Sequence, residues 1–360
     1  MRRLLLAGGG TGGHLFPAIA IAEAFRAQRP EAEVQFVGTA RGIEARLLPE
    51  LGWPLQLVNA SGFVGKGIFG KMAAVGRLFA SIAQGRKILR GFAPDVVVGV
   101  GGYASAAMVI AARLQGIPTV LHEQNALPGL TNRLLGRWAD RVCISFDATR
   151  SAFPGARIEV TGNPVRSEME ACPELPDDAP LLLVFGGSRG AQAINTALCA
   201  ALPLLPAGLR IIHQTGQADL ETVQKAYADQ GRREVRIEAF IDDMASVYRQ
   251  AHLVVCRAGA TTLAELAASG RPAVLIPYPH AAADHQSANA RVMTEGGAAV
   301  MIAQQELTAK HLANTINTLL QDRNRLQQMA AAARLQAKSG AAAAILDVCR
   351  GLCRSAQRVN

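Results

Sequence analysis

The chain has 360 residues, half of them apolar, with a formal net charge of +9, an isoelectric point near 9.6 and a mean hydropathy of +0.17. That length fits roughly two domains of ~150 residues, and the apolar share suffices for a sizeable core. The basic balance points to an anionic partner. An aromatic content of only 5%, with no helix-turn-helix, zinc-finger or RNA-binding signature, argues against nucleic acid.

The first element is an apolar strand, Leu4-Leu5-Leu6-Ala7, that enters a turn with glycines at 8, 9, 10, 12 and 13. A helical pattern with Pro17 in its first turn follows. Arg2-Arg3 ahead of that strand imitate a signal peptide, but the glycines end the apolar run at once. No later run approaches the ~20 apolar residues of a membrane span, so a soluble or peripheral protein is expected. Further strands are predicted at 33–38, 54–59, 95–100, 118–123, 141–145 and 157–162, many of them near-continuous Val, Ile and Leu, as in a parallel sheet covered on both faces. Gly162-Asn163-Pro164-Val165 breaks the pattern, and the Glu-, Asp- and Pro-rich stretch 168–180 reads as an interdomain linker. The scheme then restarts with strands at 181–186, 209–215, 235–240, 253–257, 273–278 and 298–302, and residues 307–358 read as helical. The fold class is α/β: two Rossmann-like domains with parallel sheets facing a cleft. The six cysteines form no C-x-x-C pair and sit mostly in or beside apolar runs, which reads as buried thiols in a reducing cytoplasm.

Between Leu51 and Pro94 there is no acidic residue, while Lys66, Lys71, Arg77, Arg86, Lys87 and Arg90 lie among apolar side chains. Phe69, Met72, Phe79 and Ile82 recur at helical spacing, so part of this stretch is core. A basic helix with apolar residues in reach also suits an anionic bilayer, and both readings stay open for segment 62–92.

Ligands of open parallel sheets bind beyond the carboxyl ends of the strands. The polar residues at those places are His14, Gly101-Gly102-Tyr103 and His122-Glu123-Gln124-Asn125 in the first half. In the second they are Ser188-Arg189, Ile241-Asp242-Asp243, Arg257 through Thr262, and His280 through Asn289. Gly8, Gly10 and Gly13 satisfy the dinucleotide spacing, but the second strand ends Phe36-Val37-Gly38-Thr39 without the acid that holds a nicotinamide ribose. Gly186-Gly187-Ser188-Arg189-Gly190 matches a hydrolase elbow, yet three glycines serve an anion cradle equally well, with Ser188 as a hydrogen-bond donor. Thr262-Leu263-Ala264-Glu265 admits two readings: a capping box, or a carboxylate for a ribose diol at a helix start. His280, Asp284 and His285 fit no standard metal spacing, and no metal or other cofactor is expected.

Together these motifs (Gly9-Gly10-Thr11-Gly12-Gly13-His14 with Pro17, Gly101-Gly102-Tyr103, His122-Glu123-Gln124-Asn125, Gly162-Asn163-Pro164-Val165-Arg166, Gly186-Gly187-Ser188 with Gly190-Ala191, Phe240-Ile241-Asp242-Asp243-Met244 and Cys256-Arg257-Ala258-Gly259-Ala260) resemble the MurG family in consistent order from residue 4 to about 320. The resemblance implies a GT-B glycosyltransferase with a first domain over 1–163 for the lipid acceptor and the membrane, and a second over 164–339 for the donor. The C-terminal helix, about 340–358, would pack back on the first. It implies inverting transfer of N-acetylglucosamine from UDP-N-acetylglucosamine to the 4-hydroxyl of undecaprenyl-pyrophosphoryl-muramoyl-pentapeptide (lipid I), at the cytoplasmic face of the inner membrane, giving lipid II and UDP. An acceptor other than lipid I, or UDP-sugar binding without catalysis, are the alternatives.

Carried over residue by residue, Ser188 would contact a donor phosphate and the Ile241 backbone the uracil. Glu265 would hold the ribose, and Ala260, Thr261, Thr262, Leu263 and Ala264 would lie along the diphosphate and sugar. Gln286 and Asn289 would reach the sugar hydroxyls, and Arg166 the nucleotide. Thr11, Gly12, Gly13, Tyr103 and Asn125 would come from the first domain. Inversion needs a general base. His14 is the first candidate, because an ordinary imidazole titrates near ~6.5. Glu123 is the second, and a phosphate contact is the alternative role for His14.

Overall fold

A computed structural model describes residues 1–60, 68–187 and 190–357, with the backbone alone described at 68–75, 356 and 357. The chain divides into two compact units, Met1–Val165 with the stretch from Gly340 onward, and Arg166–Ser339.

The first unit runs β1 (Arg3–Gly8), α1 (Gly12–Gln28), β2 (Glu33–Gly38), α2 (Glu44–Glu50), β3 (Leu55–Leu57), α3 (Ile68–Phe92), β4 (Val96–Gly101), α4 (Gly102–Arg113), β5 (Thr119–Glu123), α5 (Leu130–Leu135), β6 (Arg141–Ile144) and β7 (Ile158–Val160). The second runs α6 (Ser167–Glu170), β8 (Leu181–Phe185), α7 (Gln192–Ala201), β9 (Arg210–Gln214), α8 (Leu220–Asp229), β10 (Val235–Glu238), α9 (Met244–Gln250), β11 (Leu253–Cys256), α10 (Ala260–Ser269), β12 (Ala273–Leu275), α11 (His285–Glu295), β13 (Ala299–Met301), α12 (Ala309–Gln321) and α13 (Arg323–Gln336). The last helix, α14 (Ala341–Gln357), belongs to the first unit. Every strand expected from the apolar runs is present, and most are a residue or more shorter.

All strand pairs are parallel, in the orders β3-β2-β1-β4-β5-β6-β7 and β10-β9-β8-β11-β12-β13. β4, β5, β8 and β11 are buried along their whole length, which is why they read as unbroken apolar runs. Each order reverses direction once, between β1 and β4 and between β8 and β11. Such a switch point opens a crevice at the carboxyl ends of its two strands. In both units the first strand beside that crevice ends in a glycine-rich turn.

The core of the first unit draws on both ends of the sequence. Leu4, Leu6, Val96 and Val98 from the sheet pack in one cluster with Ile345, Leu346 and Cys349 of α14. Leu346→Ala is expected to cost about 2–5 kcal/mol, read as earlier urea unfolding. Leu335→Ala, at an exposed position of α13, should stay within about 0.5 kcal/mol.

The stretch 168–180 is not a free linker. Met169 is fully buried, and the carbonyl of Pro173 accepts from Arg271 (3.0 Å) and Arg334 (2.6 Å). His252 lies 3.1 Å from the carbonyl of Pro176. A Pro-rich stretch has carbonyls without ladder partners, and the buried guanidinium of Arg271 needs acceptors. Composition carries no trace of that exchange.

Candidate functional site

At the switch point of the first unit the chain leaves β1 through Gly8, Gly9 and Gly10. It enters α1 after Thr11, an extended N-cap residue (φ −135°, ψ 159°) whose side chain makes no cap bond. Close approach requires glycine at two places. A Cβ on Gly9 (φ 145°) would lie 2.3 Å from Cδ of Glu44, and one on Gly101 (φ 108°) would lie 2.9 Å from Nε2 of His14.

Glu44 escaped the sequence reading. It is fully buried at the start of α2, and its carboxylate accepts from the N–H of Gly10 (2.7 Å), the N–H of Thr39 (2.9 Å) and Oγ1 of Thr39 (3.1 Å). The glycine turn therefore already wraps an anion of the chain itself. The Gly10 N–H is thus occupied. The sequence held one signal of this arrangement. Gly38 and Gly42 have no positive φ to explain them, and a Cβ would lie 2.4 Å from Cγ of Glu44 at the first and 2.0 Å from Oε2 at the second.

His14 is half-buried, with Nδ1 3.1 Å from the carbonyl oxygen of Gly9. A carbonyl only accepts, so Nδ1 carries the proton and Nε2 keeps a lone pair. Tyr103 lies partly exposed in the first turn of α4.

At the end of β5, Glu123 is buried. Its Oε1 accepts from the Asn125 N–H (2.9 Å) and side-chain amide (3.1 Å), and its Oε2 from the N–H of Gly129 (3.3 Å) and the amide of Asn132 (2.9 Å). Four donors fill the acceptor positions of one carboxylate. His122 faces inward and is fully buried. Its Nε2 donates to the carbonyl of Gly162 (3.2 Å), its Nδ1 accepts from Gln124 (3.1 Å), and burial pushes its pKa down to about 4. Of the four polar residues there, His122, Glu123 and Gln124 are thus interior, and Asn125 is half-buried.

In the second unit Ser188 lies outside the described residues, so the turn after β8 is described through Gly187 and again from Gly190. Gln214, which the sequence reading also missed, is buried at the end of β9. It donates to the carbonyl of Gly187 (3.1 Å) and accepts from the N–H of Ile241 (2.9 Å). One amide thereby ties the turn after β8 to the Ile241 backbone.

α10 starts at Ala260 behind an extended Gly259, with no side-chain cap. Thr262 is consequently the third residue of the helix and Glu265 lies in its second turn, which removes the capping-box reading. Ala260, Thr261 and Leu263 are buried, and Thr262 and Ala264 are half-buried. Glu265 as a whole residue is half-buried, with its carboxyl shielded from water. Tyr248 Oη donates to it at 3.4 Å and Arg166 lies within electrostatic reach, yet burial outweighs both and raises its pKa to about 7. At the start of α11, Asn289 is fully buried and donates to the carbonyl of Ala258 (3.2 Å), while Oε1 of Gln286 accepts from the N–H of Tyr278 (2.9 Å). Arg257 is a clamp: it donates to the carbonyls of Ile276 (3.1 Å) and Pro277 (3.2 Å) and to Gln304 (2.7 Å). Among the described residues, no three His, Cys, Asp or Glu side chains converge as metal ligands.

Each unit matches a family model: residues 4–144 the glycosyltransferase family 28 N-terminal domain, and residues 181–345 its C-terminal domain. The UDP-N-acetylglucosamine–N-acetylmuramyl-(pentapeptide) pyrophosphoryl-undecaprenol N-acetylglucosamine transferase of Syntrophotalea carbinolica is 60% identical over 98% of this chain and 99% of its own. The chain belongs to the MurG family. The family member of the same description from Geobacter metallireducens is 50% identical over 96% of this chain and 97% of its own. The crystal structure of Acinetobacter baumannii MurG superposes with a TM-score of 0.80 at 35% identity, covering 98% of this chain and all of that one. The fold is accordingly GT-B, and the enzyme class is a UDP-N-acetylglucosamine-dependent hexosyltransferase.

A further surface of this family member was not legible in the sequence. Leu130 and Leu134 lie one turn apart on α5 and Trp138 follows at the same spacing. All three are more than half exposed, with exposed Arg133 and Arg137 beside them. The basic segment 62–92 is described only in part. Residues 62–67, and the side chains through 75, lie outside the description, while Arg77, Phe79, Arg86, Lys87 and Arg90 are exposed on α3. Among the described residues no helix is long and apolar enough to cross a membrane.

Proposed function

We propose that this protein transfers N-acetylglucosamine from UDP-N-acetylglucosamine to the 4-hydroxyl of the muramoyl sugar of lipid I, inverting at C1 to form a β-1,4 bond and releasing UDP. The observation that carries this reading is the near full-length identity of 60% to a transferase of that description. The donor belongs to the second unit. Glu265 accepts from the ribose diol, and Arg166 lies beside the nucleotide. The carbonyl of Ile241 takes the uracil N3–H, because its N–H is held by Gln214. Ser188 contacts a phosphate, and the uncapped start of α10 from Ala260 to Leu263 faces the diphosphate charge that grows as the bond to C1 breaks. Gln286 and Asn289 reach the sugar hydroxyls.

The acceptor belongs to the first unit, where Thr11, Gly12, Gly13 and Tyr103 border the substrates. Its 4-hydroxyl attacks C1 opposite the departing UDP and gives its proton to Nε2 of His14, the nitrogen left with a lone pair. Glu123 organises the β5 loop and sets Asn125, which orients the hydroxyl. Its carboxylate would have to shed a donor before it could take a proton. Radiolabelled UDP-N-acetylglucosamine with a lipid I analogue tests the whole reading. Label is expected in a lipid II product. Binding without transfer, or transfer only to another acceptor, refutes it.

The protein works as a peripheral enzyme at the cytoplasmic face of the inner membrane. The apolar face of Leu130, Leu134 and Trp138 enters the headgroup boundary, and the arginines of α5 and α3 meet anionic lipid. Binding to vesicles of anionic phospholipid should weaken several-fold between low and high salt. Leu130→Ser with Leu134→Ser should weaken it at every salt concentration. Salt-insensitive binding, or binding untouched by the double substitution, counts against this surface.

A further inference from the structure

The Gly9–Gly10 peptide group is held at both ends. Its N–H, from Gly10, donates to Oε2 of Glu44 at 2.7 Å, and its C=O, from Gly9, accepts from Nδ1 of His14 at 3.1 Å. In a trans peptide these two groups point in opposite directions along one rigid, polarisable plane. A buried negative charge on the N–H end draws electron density toward the carbonyl oxygen, making it a stronger acceptor for the imidazole N–H. We propose that Glu44 is a positioning residue for His14, acting through the Gly9–Gly10 peptide, so that carboxylate, peptide and imidazole form one relay that fixes the ring with its proton on Nδ1 and its lone pair on Nε2. The catalytic consequence rests on the assignment of His14 as the base.

Three further features fit this role. The carboxylate is fully buried and accepts from both the N–H and the hydroxyl of Thr39, which lock its second oxygen and with it the first. Gly9, Gly38 and Gly42 each leave out a Cβ that would overlap the Glu44 side chain, so three positions of the chain are shaped around one carboxylate. The ring itself is seated over Gly101, where a Cβ would lie 2.9 Å from Nε2. The arrangement parallels a carboxylate that orients a catalytic imidazole through its Nδ1–H, with a peptide group placed between. His122 on β5 lies within electrostatic reach of His14, and burial keeps it neutral down to about pH 4.

The relay can be tested with and without turnover. Glu44→Gln keeps the side-chain shape and removes the charge. Gly42→Ala keeps the charge, and its new Cβ would lie 2.0 Å from the carboxylate oxygen, forcing that oxygen off the Gly10 N–H. In NMR of the full chain with ¹⁵N-labelled histidine, both variants are expected to move the His14 ring away from the Nδ1–H tautomer held in the parent. In the transfer assay Glu44→Gln should lower kcat by about tenfold or more, with KM for UDP-N-acetylglucosamine changed by less than about threefold. In a His14→Ala background Glu44→Gln should cost little more, because the two act as a unit. An unchanged His14 tautomer in folded Glu44→Gln and Gly42→Ala protein overturns the relay whatever the kinetics show. A changed tautomer with unchanged kcat keeps the relay and refutes the base assignment instead.

Discussion

His14→Ala, assayed with donor saturating, is expected to lower kcat by about 10²- to 10⁴-fold, the usual contribution of a general base, while KM for UDP-N-acetylglucosamine moves little. The expectation follows from a single hydrogen bond. With Nδ1 donating to Gly9, the neutral ring holds its lone pair on Nε2, and the substrate hydroxyl needs that acceptor only as it attacks C1. A phosphate-binding histidine would behave differently: it would donate from Nε2 in the ground state, and its loss would appear mainly in KM. A kcat within about threefold of the parent removes His14 as the base. Glu123→Gln separates the rival. It introduces an NH₂ where all four acceptor positions now meet donors, so its loss of activity should come with lower thermal stability of the first unit and disorder in the 124–132 loop. His14→Ala should leave stability nearly untouched.

The fold was legible because it rests on burial. Strands covered on both faces must be apolar along their length, so β4, β5, β8 and β11 announce themselves, and two such series separated by Gly162–Val165 announce two sheets. In the candidate site, the glycine turns after β1 and β8 were legible, because close backbone approach demands that one residue type. The site was not legible where interior polar groups satisfy one another. Glu44, Gln214 and Arg271 are buried through hydrogen bonds to backbone groups, and a backbone partner leaves no residue type to recognise. The same blindness made His122 and Glu123 look like ligand-facing groups at a strand end and made 168–180 look like a linker. The capping box at Thr262 failed for a related reason: the pattern describes side chains, while the helix start was set by the extended Gly259 three residues beyond the last residue of β11.

UDP affinity is expected to fall by up to about tenfold per pH unit as pH drops below 7, and Glu265 is the cause. A carboxylate accepts both hydroxyl protons of a ribose diol, whereas a neutral acid presents an O–H to one of them. Burial raises Glu265 to about 7 from an ordinary 4.5, against the opposing pull of Arg166 and the Tyr248 hydroxyl. Without ligand, then, the group is about half protonated at neutral pH, and a diol that prefers the ion must displace the remaining proton. Calorimetry of UDP binding near pH 7 in buffers of different ionisation enthalpy should therefore register proton release. The sign for stability runs the opposite way. Because the folded value is raised, the contribution of this group to the unliganded fold is fully present below about 4.5 and is lost as pH rises through about 7. Stabilisation by UDP, measured as a shift in Tm, should consequently be larger near pH 8 than near pH 6. Glu265→Gln should weaken UDP binding by about tenfold or more and flatten its pH dependence, whereas Arg166→Ala should move the dependence to higher pH by removing the charge that favours the carboxylate. UDP affinity equal at about pH 6 and pH 8 in the parent enzyme would take the ribose contact away from Glu265.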